Sequence, residues 1–268
     1  MIPKNSAIYF RGQLKQHKKF KQMKKQILFI AVTTSASVLF SCSKEKIQTP
    51  STNETTQQTV VGNSSNQKPI PPPLNQNLEG WFQFNGNLQD QTGKLNAQAS
   101  TTGADIYTED RNGVPNNAIK FTGRYGLISD SIPIATNISV AAWVKYDSSN
   151  LEGALLYGVL GFGQSYDKYY GYVSTPTTTG VMSAPIDNHW HFVASTYDGQ
   201  YIRFYVDGNF VGNAFNPGTF NSGPAYGGAT FWIGYLIGGS GFWQGAMDDL
   251  RFYTRTLSDK DVAKLYNL

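Results

Sequence analysis

The sequence has one cysteine, few glutamates in its second part and no long hydrophobic run. Because Cys42 is alone among 268 residues, no intramolecular disulfide can form. The main apolar stretch, 27–32, falls well short of the ~20 apolar residues that a membrane-spanning helix needs. These absences exclude a disulfide-stapled fold and disfavour a retained transmembrane anchor.

The net charge of +4 is unevenly distributed along the chain. Residues 1–74 contain 11 Lys and Arg against two Glu, whereas residues 75–268 contain 11 Lys and Arg against 16 Asp and Glu. The second part is mildly acidic, and we therefore expect no nucleic-acid partner.

Residues 1–41 run from basic to apolar to small side chains, which is the order of a secretory signal. Met23 offers an alternative start. The segment ends in Leu39-Phe40-Ser41-Cys42, which resembles the bacterial lipoprotein signal. That resemblance implies lipid on Cys42 and anchoring in the outer membrane or at the cell surface. A lone thiol in a cleaved signal is the alternative.

Residues 42–76 are predicted to be the lipidated cysteine and a disordered tether. The segment is rich in Ser, Thr, Asn and Gln, so it cannot bury enough apolar surface to offset the entropy of ordering. Its proline-rich end, 69–73, stiffens the part nearest the domain.

Residues 77–268 carry short apolar runs separated by Gly, Asn, Asp and Pro, a pattern typical of strands. Asp-Gly pairs at 198–199 and 207–208 predict hairpin turns. Ser258 predicts the start of a helix that ends near Leu265. We expect one two-sheet domain. Predicted strands are 80–84, 118–121, 126–128, 138–146, 154–162, 169–173, 190–197, 201–206, 231–235 and 247–253.

The last predicted strand contains two adjacent carboxylates, Asp248 and Asp249, although Asp is a poor strand residue. With strict alternation, Asp248 shares the apolar face of Leu250, and Asp249 points to the opposite face. A carboxylate on the apolar face needs a hydrogen-bond donor, a cation or a metal.

Four segments together resemble the laminin-G-like jelly roll of the concanavalin A-like lectin/glucanase superfamily. They are Trp81 to Gly93, Ile138 to Lys145, His189 to Gly208, and Gly245 to Tyr266. The resemblance implies an all-β, two-sheet antiparallel jelly-roll sandwich with a short C-terminal helix. It also implies a possible structural calcium ion, for which Asp90 and Asp248 are the candidate ligands. Alternatively, Asp90 caps its own turn and Asp248 accepts a hydrogen bond inside the sandwich.

We expect no enzymatic activity. Glycosidases that this fold resembles carry a Glu-x-Asp-x-Glu strand, and the only glutamates after the tether are the isolated Glu79, Glu109 and Glu152. His189 and His191 alternate on one strand and are expected to be structural rather than metal ligands.

Aromatic residues in the loops suggest sugar binding, because sugar rings stack on aromatic faces while polar neighbours bond the hydroxyl groups. Tyr166, Tyr226 and Trp243 are the candidate ligand-facing residues. The sequence therefore predicts a surface-tethered, non-catalytic carbohydrate-binding or adhesion module with a glycan or cell-surface partner. The alternatives are an accessory domain or degenerate glycoside hydrolase, and a protein-binding adhesion domain.

Overall fold

The computed structural model describes residues 74–99, 107–123, 127–129, 132, 136–147, 152–175, 177–220, 231–234 and 242–268. The chain divides into two units, 1–66 and 67–268, of which the first lies wholly outside the described residues. The predicted signal and Cys42 therefore also lie outside them. Among the described residues no helix is long and apolar enough to cross a membrane.

Within the described ranges the second unit contains fifteen strands and one helix. Their bounds are Leu78–Phe82 (β1), Ala97–Ala99 (β2), Tyr107–Thr108 (β3), Ala118–Thr122 (β4), Leu127–Ser129 (β5), Ile138–Tyr146 (β6), Glu152–Tyr157 (β7), Leu160–Ser165 (β8), Lys168–Ser174 (β9), Thr178–Met182 (β10), His191–Tyr197 (β11), Tyr201–Val206 (β12), Asn209–Phe215 (β13), Trp232–Ile233 (β14), Gln244–Tyr253 (β15) and Asp259–Tyr266 (α1).

The strands form two antiparallel sheets, which confirms the predicted sandwich. The first sheet has the order β13-β12-β11-β6-β15-β4-β3, with β1 added against β15. The second has the order β10-β9-β8-β7-β14-β5-β2. Neighbours in sequence are often not neighbours in the sheet, so residues distant along the chain meet at the same edge.

Strand β15 lies in the middle of the first sheet and changes partner along its length. One side pairs with β6 from Gly245 to Tyr253. On the other side, β4 pairs up to Met247 and β1 pairs from Leu250 onward. Asp248 and Asp249 therefore stand where one partner strand ends and the next begins.

The main core lies between the inner faces of the sheets, where Phe82, Phe162 and Phe252 are at most 1% exposed. This burial of aromatic side chains is the principal stabilising contribution to the sandwich. A second cluster covers the outer face of the first sheet, where Val262 and Leu265 of α1 pack on the strands.

The helix starts as the sequence predicts. The Ser258 side chain accepts from the backbone N–H of Asp261, and the Asp261 carboxylate in turn accepts from the backbone N–H of Ser258. Helix α1 begins at Asp259 and ends at Tyr266, one residue beyond the prediction. Packing on the sheet holds this short helix in place.

One predicted strand is wrong. The run 154–162 is two strands, β7 and β8, with a turn at Gly158 and Val159. The apolar side chains continue through the turn because Val159 is itself buried in the core. Strand β10 was missed because its Thr-Thr-Gly-Val-Met sequence has only weak apolar alternation.

Candidate ligand-binding site

Tyr166 lies at the tip of the turn between β8 and β9, and its side chain is 59% exposed. Its backbone is left-handed, with a φ of 54°. A non-glycine residue rarely adopts this conformation unless neighbouring groups hold it. The turn therefore presents an aromatic ring to solvent from a defined backbone.

A chain of hydrogen bonds holds that turn from inside the sandwich. The Gln164 amide donates to the carbonyl oxygen of Tyr166 at 2.9 Å. The carbonyl oxygen of the same amide accepts the indole N–H of Trp243 at 2.9 Å. Gln164 is fully buried, so these bonds supply the partners that its polar atoms require.

Trp243 does not face a ligand, contrary to the sequence-based expectation. Its side chain is fully buried in the main core and packs beside Phe121 at a ring separation of 5.6 Å. The reason is its neighbour Gly153, whose lack of a side chain leaves room for the backbone and ring of Trp243. Two of the predicted residues are thus connected, with Trp243 supporting the turn that exposes Tyr166.

The third predicted residue, Tyr226, lies outside the described residues. Other aromatic side chains of the same region are turned inward. Tyr169 fills the main core, and Tyr170 and Tyr172 are at most 9% exposed. Tyr166 is accordingly the solvent-facing tyrosine of β8 and β9.

A polar loop lies against the Tyr166 turn. The backbone N–H of Ile186 donates to the carbonyl oxygen of Asp167 at 2.8 Å, which fixes the loop beside the turn. This loop carries Asp187 and His189, whose side chains are 61% and 80% exposed. An exposed aromatic ring, a carboxylate and an imidazole are thereby brought to one end of the sandwich.

Hydrogen bonds keep the Asp187 carboxylate ionised. The pKa of Asp187 is lowered to about 2, first by the backbone N–H of His189 and then by the side chain of His191. Asp187 Oδ1 accepts that backbone N–H at 2.9 Å. The carboxylate is therefore a ready acceptor for hydroxyl groups at neutral pH.

His191 stands between two carboxylates. Its Nδ1 lies 2.8 Å from Asp207 Oδ2, and its Nε2 lies 3.1 Å from Asp187 Oδ1. The pKa of His191 is raised, mainly by the bond to Asp207, although burial acts in the opposite direction. Asp207 also accepts the backbone N–H of Phe192 at 2.9 Å. These bonds give His191 the structural role expected of it, because they tie β11 to the β12–β13 turn, whereas His189 lies before β11 and is 80% exposed.

Metal chemistry gains no support from this cluster. Across the described ranges no three His, Cys, Asp or Glu side chains are grouped so that they could hold a metal ion. What the Tyr166 end offers is a flat apolar surface beside polar acceptors, which is the arrangement that suits a hydroxylated ring.

Asp90 and Asp248 do not form a shared site. The carboxylate of Asp90 accepts five hydrogen bonds of 2.5–3.0 Å: from the backbone N–H groups of Trp81, Thr92, Lys94 and Leu95 and from the Thr92 hydroxyl. These donors occupy both oxygens, so Asp90 caps its own turn. Asp90 also forms an isolated β-bridge with Phe82, on the side of β1 that does not pair with β15. Strand β1 therefore lies between Asp90 and β15, the strand that carries Asp248.

Asp248 lies on the outer face of the first sheet, not on the apolar inner face. Asp248 pairs with Trp143 and Arg251 with Ala141, so β15 contains one extra residue between them. That residue is Asp249, whose φ of 55° marks a β-bulge. The bulge breaks the alternation on which the sequence-based assignment depended.

The bulge turns both carboxylates toward one cation. Arg111 Nη1 contacts Asp248 Oδ2, and Arg111 Nη2 lies 2.9 Å from Asp249 Oδ2. Burial and the charge of Asp249 raise the pKa of Asp248, while Arg111 opposes that rise. The calcium ion implied by the resemblance therefore does not fit these two carboxylates, because the Arg111 guanidinium already contacts both of them.

Three residues that the sequence did not single out determine this geometry: Gln164, Asp187 and Arg111. Gln164 and Arg111 act on partners 79 and 137 residues away, which local patterns do not reveal. Asp187 had a local signal, because it follows Ala-Pro-Ile in a polar loop directly before the histidine pair.

Comparison with protein families gives the same fold. The family model Laminin_G_3, described as the concanavalin A-like lectin/glucanases superfamily, matches residues 121–263, more than half of the chain. The chain belongs to this family. No protein with a curated function matches the sequence.

Solved structures with the same fold include several toxin binding domains. The binding domain of Paraclostridial Mosquitocidal Protein 1 matches with a TM-score of 0.59 at 13% identity, covering 72% of this chain and 52% of that one. The botulinum neurotoxin serotype D binding domain matches with 0.55 at 14%, covering 71% and 50%. The binding domain of botulinum neurotoxin DC in complex with SialylT gives 0.55 at 13%, covering 72% and 52%. The chain thus spans about half the length of these structures, and at such identities the likeness is one of fold.

Proposed function

We propose that this chain is a surface-tethered, non-catalytic glycan-binding module whose ligand stacks on Tyr166. The tether is the segment 42–76 with lipid on Cys42, and the binding site is the turn between β8 and β9 together with the loop that carries Asp187. The observation that carries the proposal is a 59% exposed aromatic ring on a turn that is fixed from two sides.

The fixed turn matters because an aromatic platform contributes most when little entropy is lost on binding. The Gln164–Trp243 chain holds the turn from the core, and the bond from Ile186 to Asp167 holds it from the neighbouring loop. The ionised Asp187 beside it accepts hydrogen bonds from hydroxyl groups, which orient a ring already stacked on Tyr166.

The family includes lectins and glucanases by its description, and one structure of the same fold is a binding domain in complex with SialylT. These comparisons support glycan recognition, which we assign to the Tyr166 turn. The isolated positions of Glu79, Glu109 and Glu152 support a non-catalytic role.

Binding to arrayed neutral and sialylated oligosaccharides tests the proposal. Tyr166→Ala is expected to weaken binding about tenfold, because loss of a stacked ring costs about 1.4 kcal/mol. Tyr201→Ala is the matched control, since Tyr201 is a tyrosine that is 37% exposed on β12 and is expected to leave binding unchanged. Equal binding by the Tyr166→Ala and wild-type proteins would refute the site.

Reducing-sugar release separates binding from hydrolysis. We expect the wild-type protein to bind without releasing reducing ends from β-glucan. Release at a rate above that of the heat-denatured protein would favour the glycoside hydrolase alternative and overturn the non-catalytic part of the proposal.

A second candidate function, protein binding, is favoured by a different surface. Phe210, Phe215 and Tyr201 are 50%, 59% and 37% exposed on the outer face of the β12–β13 hairpin, and the rings of Tyr201 and Phe215 are 5.1 Å apart. Exposed aromatic clusters are typical of protein interfaces. If Phe215→Ala abolishes adhesion to cells while Tyr166→Ala does not, protein binding replaces glycan binding.

A further inference from the structure

We propose that the guanidinium of Arg111 is the built-in cation of the Asp248–Asp249 pair, so that this domain does not need calcium at strand β15. A corollary is that removing Arg111 uncovers a site for a divalent cation. The inference does not involve the Tyr166 turn and does not depend on glycan binding.

Asp248 and Asp249 lie where β15 changes its partner strand. Between Met247, where β4 stops pairing, and Leu250, where β1 starts, β15 has no partner from either strand. The bulge at Asp249 lies in this gap and directs both carboxylates to the outer face. Two buried carboxylates at 0% and 1% exposure need a compensating partner there.

The Arg111 side chain contacts both carboxylates at this gap. Its two terminal nitrogens contact one carboxylate each, and its side chain is only 10% exposed. The guanidinium also lies 5.0 Å from the ring centre of Trp143, which stabilises the cation from below. The planar fork of arginine suits simultaneous contact with two carboxylates.

Hydrogen bonds hold the loop that carries Arg111. Asp110 Oδ1 accepts the backbone N–H groups of Asn112 and Val114 at 2.8 and 2.9 Å. The backbone N–H of Asp110 donates to the carbonyl oxygen of Val114 at 3.1 Å, closing the loop around Arg111. The side chain is thus held near the carboxylates without the cost of capturing a free ion.

Other N–H groups also contact the Asp249 carboxylate. Asp249 Oδ1 accepts the indole N–H of Trp81 at 2.7 Å and lies 3.2 Å from Arg251 Nη2. Arg251 in turn lies 4.9 Å from the ring centre of Trp81. Calcium requires six to eight oxygen ligands, whereas the groups that contact Asp248 Oδ2 and both oxygens of Asp249 are N–H donors of Arg111, Trp81 and Arg251.

Two carboxylate oxygens lack a hydrogen bond. Asp248 Oδ1 is buried without a hydrogen-bond partner, and the Arg111 contact to Asp249 Oδ2 is an ion pair without hydrogen-bond alignment. These two oxygens would be available to a small divalent cation if the guanidinium were absent. Truncation of Arg111 therefore removes one cation and leaves ligands for another.

Thermal unfolding followed by circular dichroism tests the inference. The wild-type midpoint is expected to be the same in EDTA and in millimolar calcium. Arg111→Ala is expected to lower the midpoint by about 10 °C in EDTA, because a buried carboxylate pair loses its counterion. Calcium is expected to restore at least ~3 °C of that loss, as a ligand that binds only the folded state must do.

Two controls make the calcium effect specific. Arg255→Ala breaks an ion pair with Asp261 of 2.9 Å elsewhere on the domain, and calcium is expected to restore nothing there. Arg111→Ala with Asp248→Asn lacks one of the two carboxylates, and its midpoint is expected to be insensitive to calcium.

A wild-type midpoint that falls in EDTA would overturn the inference, as would an Arg111→Ala midpoint that ignores calcium. If Arg111→Ala does not fold, Arg111→Lys carries the test, because lysine keeps one charge but contacts only one carboxylate well. A lysine variant as stable as the wild type would also overturn the inference. Glycan binding is not a readout here, so failure of this inference is distinguishable from failure of the proposed function.

Discussion

Replacing Asp90 with alanine is expected to be among the most damaging single changes outside the core. The carboxylate accepts four backbone N–H groups and one hydroxyl, and all of these bonds span fewer than ten residues. The side chain is 5% exposed, so water does not readily replace it. Asp90→Ala therefore leaves donors unpaired next to the first strand.

The loss of stability in Asp90→Ala depends on which of the unpaired donors stay buried. Thr92 and Lys94 are accessible enough for water to hydrate their N–H groups, whereas Leu95 is buried and Trp81 is half-buried within β1. Two buried unpaired donors cost about 1–3 kcal/mol each, or about 2–6 kcal/mol together. For a domain of this size that corresponds to a fall of about 10 °C in the unfolding midpoint.

The assay is thermal unfolding with and without EDTA, with Asp198→Ala as the matched control. Asp198 also caps a turn, accepting the N–H groups of Gln200 and Tyr201 at 3.0 and 2.7 Å, but that turn is exposed. We expect Asp198→Ala to cost about 1 kcal/mol or less. A fall below ~2 °C for Asp90→Ala would refute the reasoning, and a wild-type fall in EDTA equal to that of Asp90→Ala would restore calcium as the partner of Asp90.

Three further changes test other parts of the structure. Ser258→Ala removes the acceptor of the Asp261 N–H and is expected to lower the unfolding midpoint by about 2–4 °C. Gly161→Ala places a methyl group 2.2 Å from the carbonyl oxygen of Leu156, so we expect a loss of about 2–3 kcal/mol in chemical denaturation or failure to yield soluble protein. The pKa of His191 is raised by its bond to Asp207, so its stabilisation is complete below the unfolded pKa of 6.5 and is lost as pH rises through the folded pKa. The deficit of His191→Gln in the unfolding midpoint is therefore expected to be larger at about pH 5.5 than at about pH 8.5, and an equal deficit at both would contradict the assignment.

Much of the fold could be predicted because its signals are local. Strand β6 has the predicted bounds, since five of its nine residues from Ile138 to Tyr146 are β-branched or aromatic and favour extended structure. The Asp-Gly turn after β12 has positive φ at both Asp207 and Gly208, as a tight hairpin requires. The Ser258 cap is likewise determined by residues within one turn of the helix.

The candidate site could be predicted only in part, because its decisive contacts are long-range. Loop position and aromatic character correctly indicated that Tyr166 is exposed, but the same argument placed Trp243 at the surface. What separates the two is the partner: Trp243 meets Gly153 and Gln164 from other strands, whereas the ring of Tyr166 extends from a turn. No spacing within the sequence around Trp243 records those contacts.

Strand β15 shows how one extra residue interrupts the alternation of side chains between the two faces of a sheet. Alternation is right from Leu250 onward, where Leu250 and Phe252 lie in the core, and it fails at Asp248 because Asp249 adds a residue with positive φ. The failure lies where β15 exchanges β4 for β1, so the backbone there is free to bulge without breaking a ladder on that side. In β15 the two acidic residues coincide with the change of partner strand, and the cation that contacts both of them comes from outside the strand. Here Arg111 supplies it from the loop before β4, the very strand whose pairing ends at the gap.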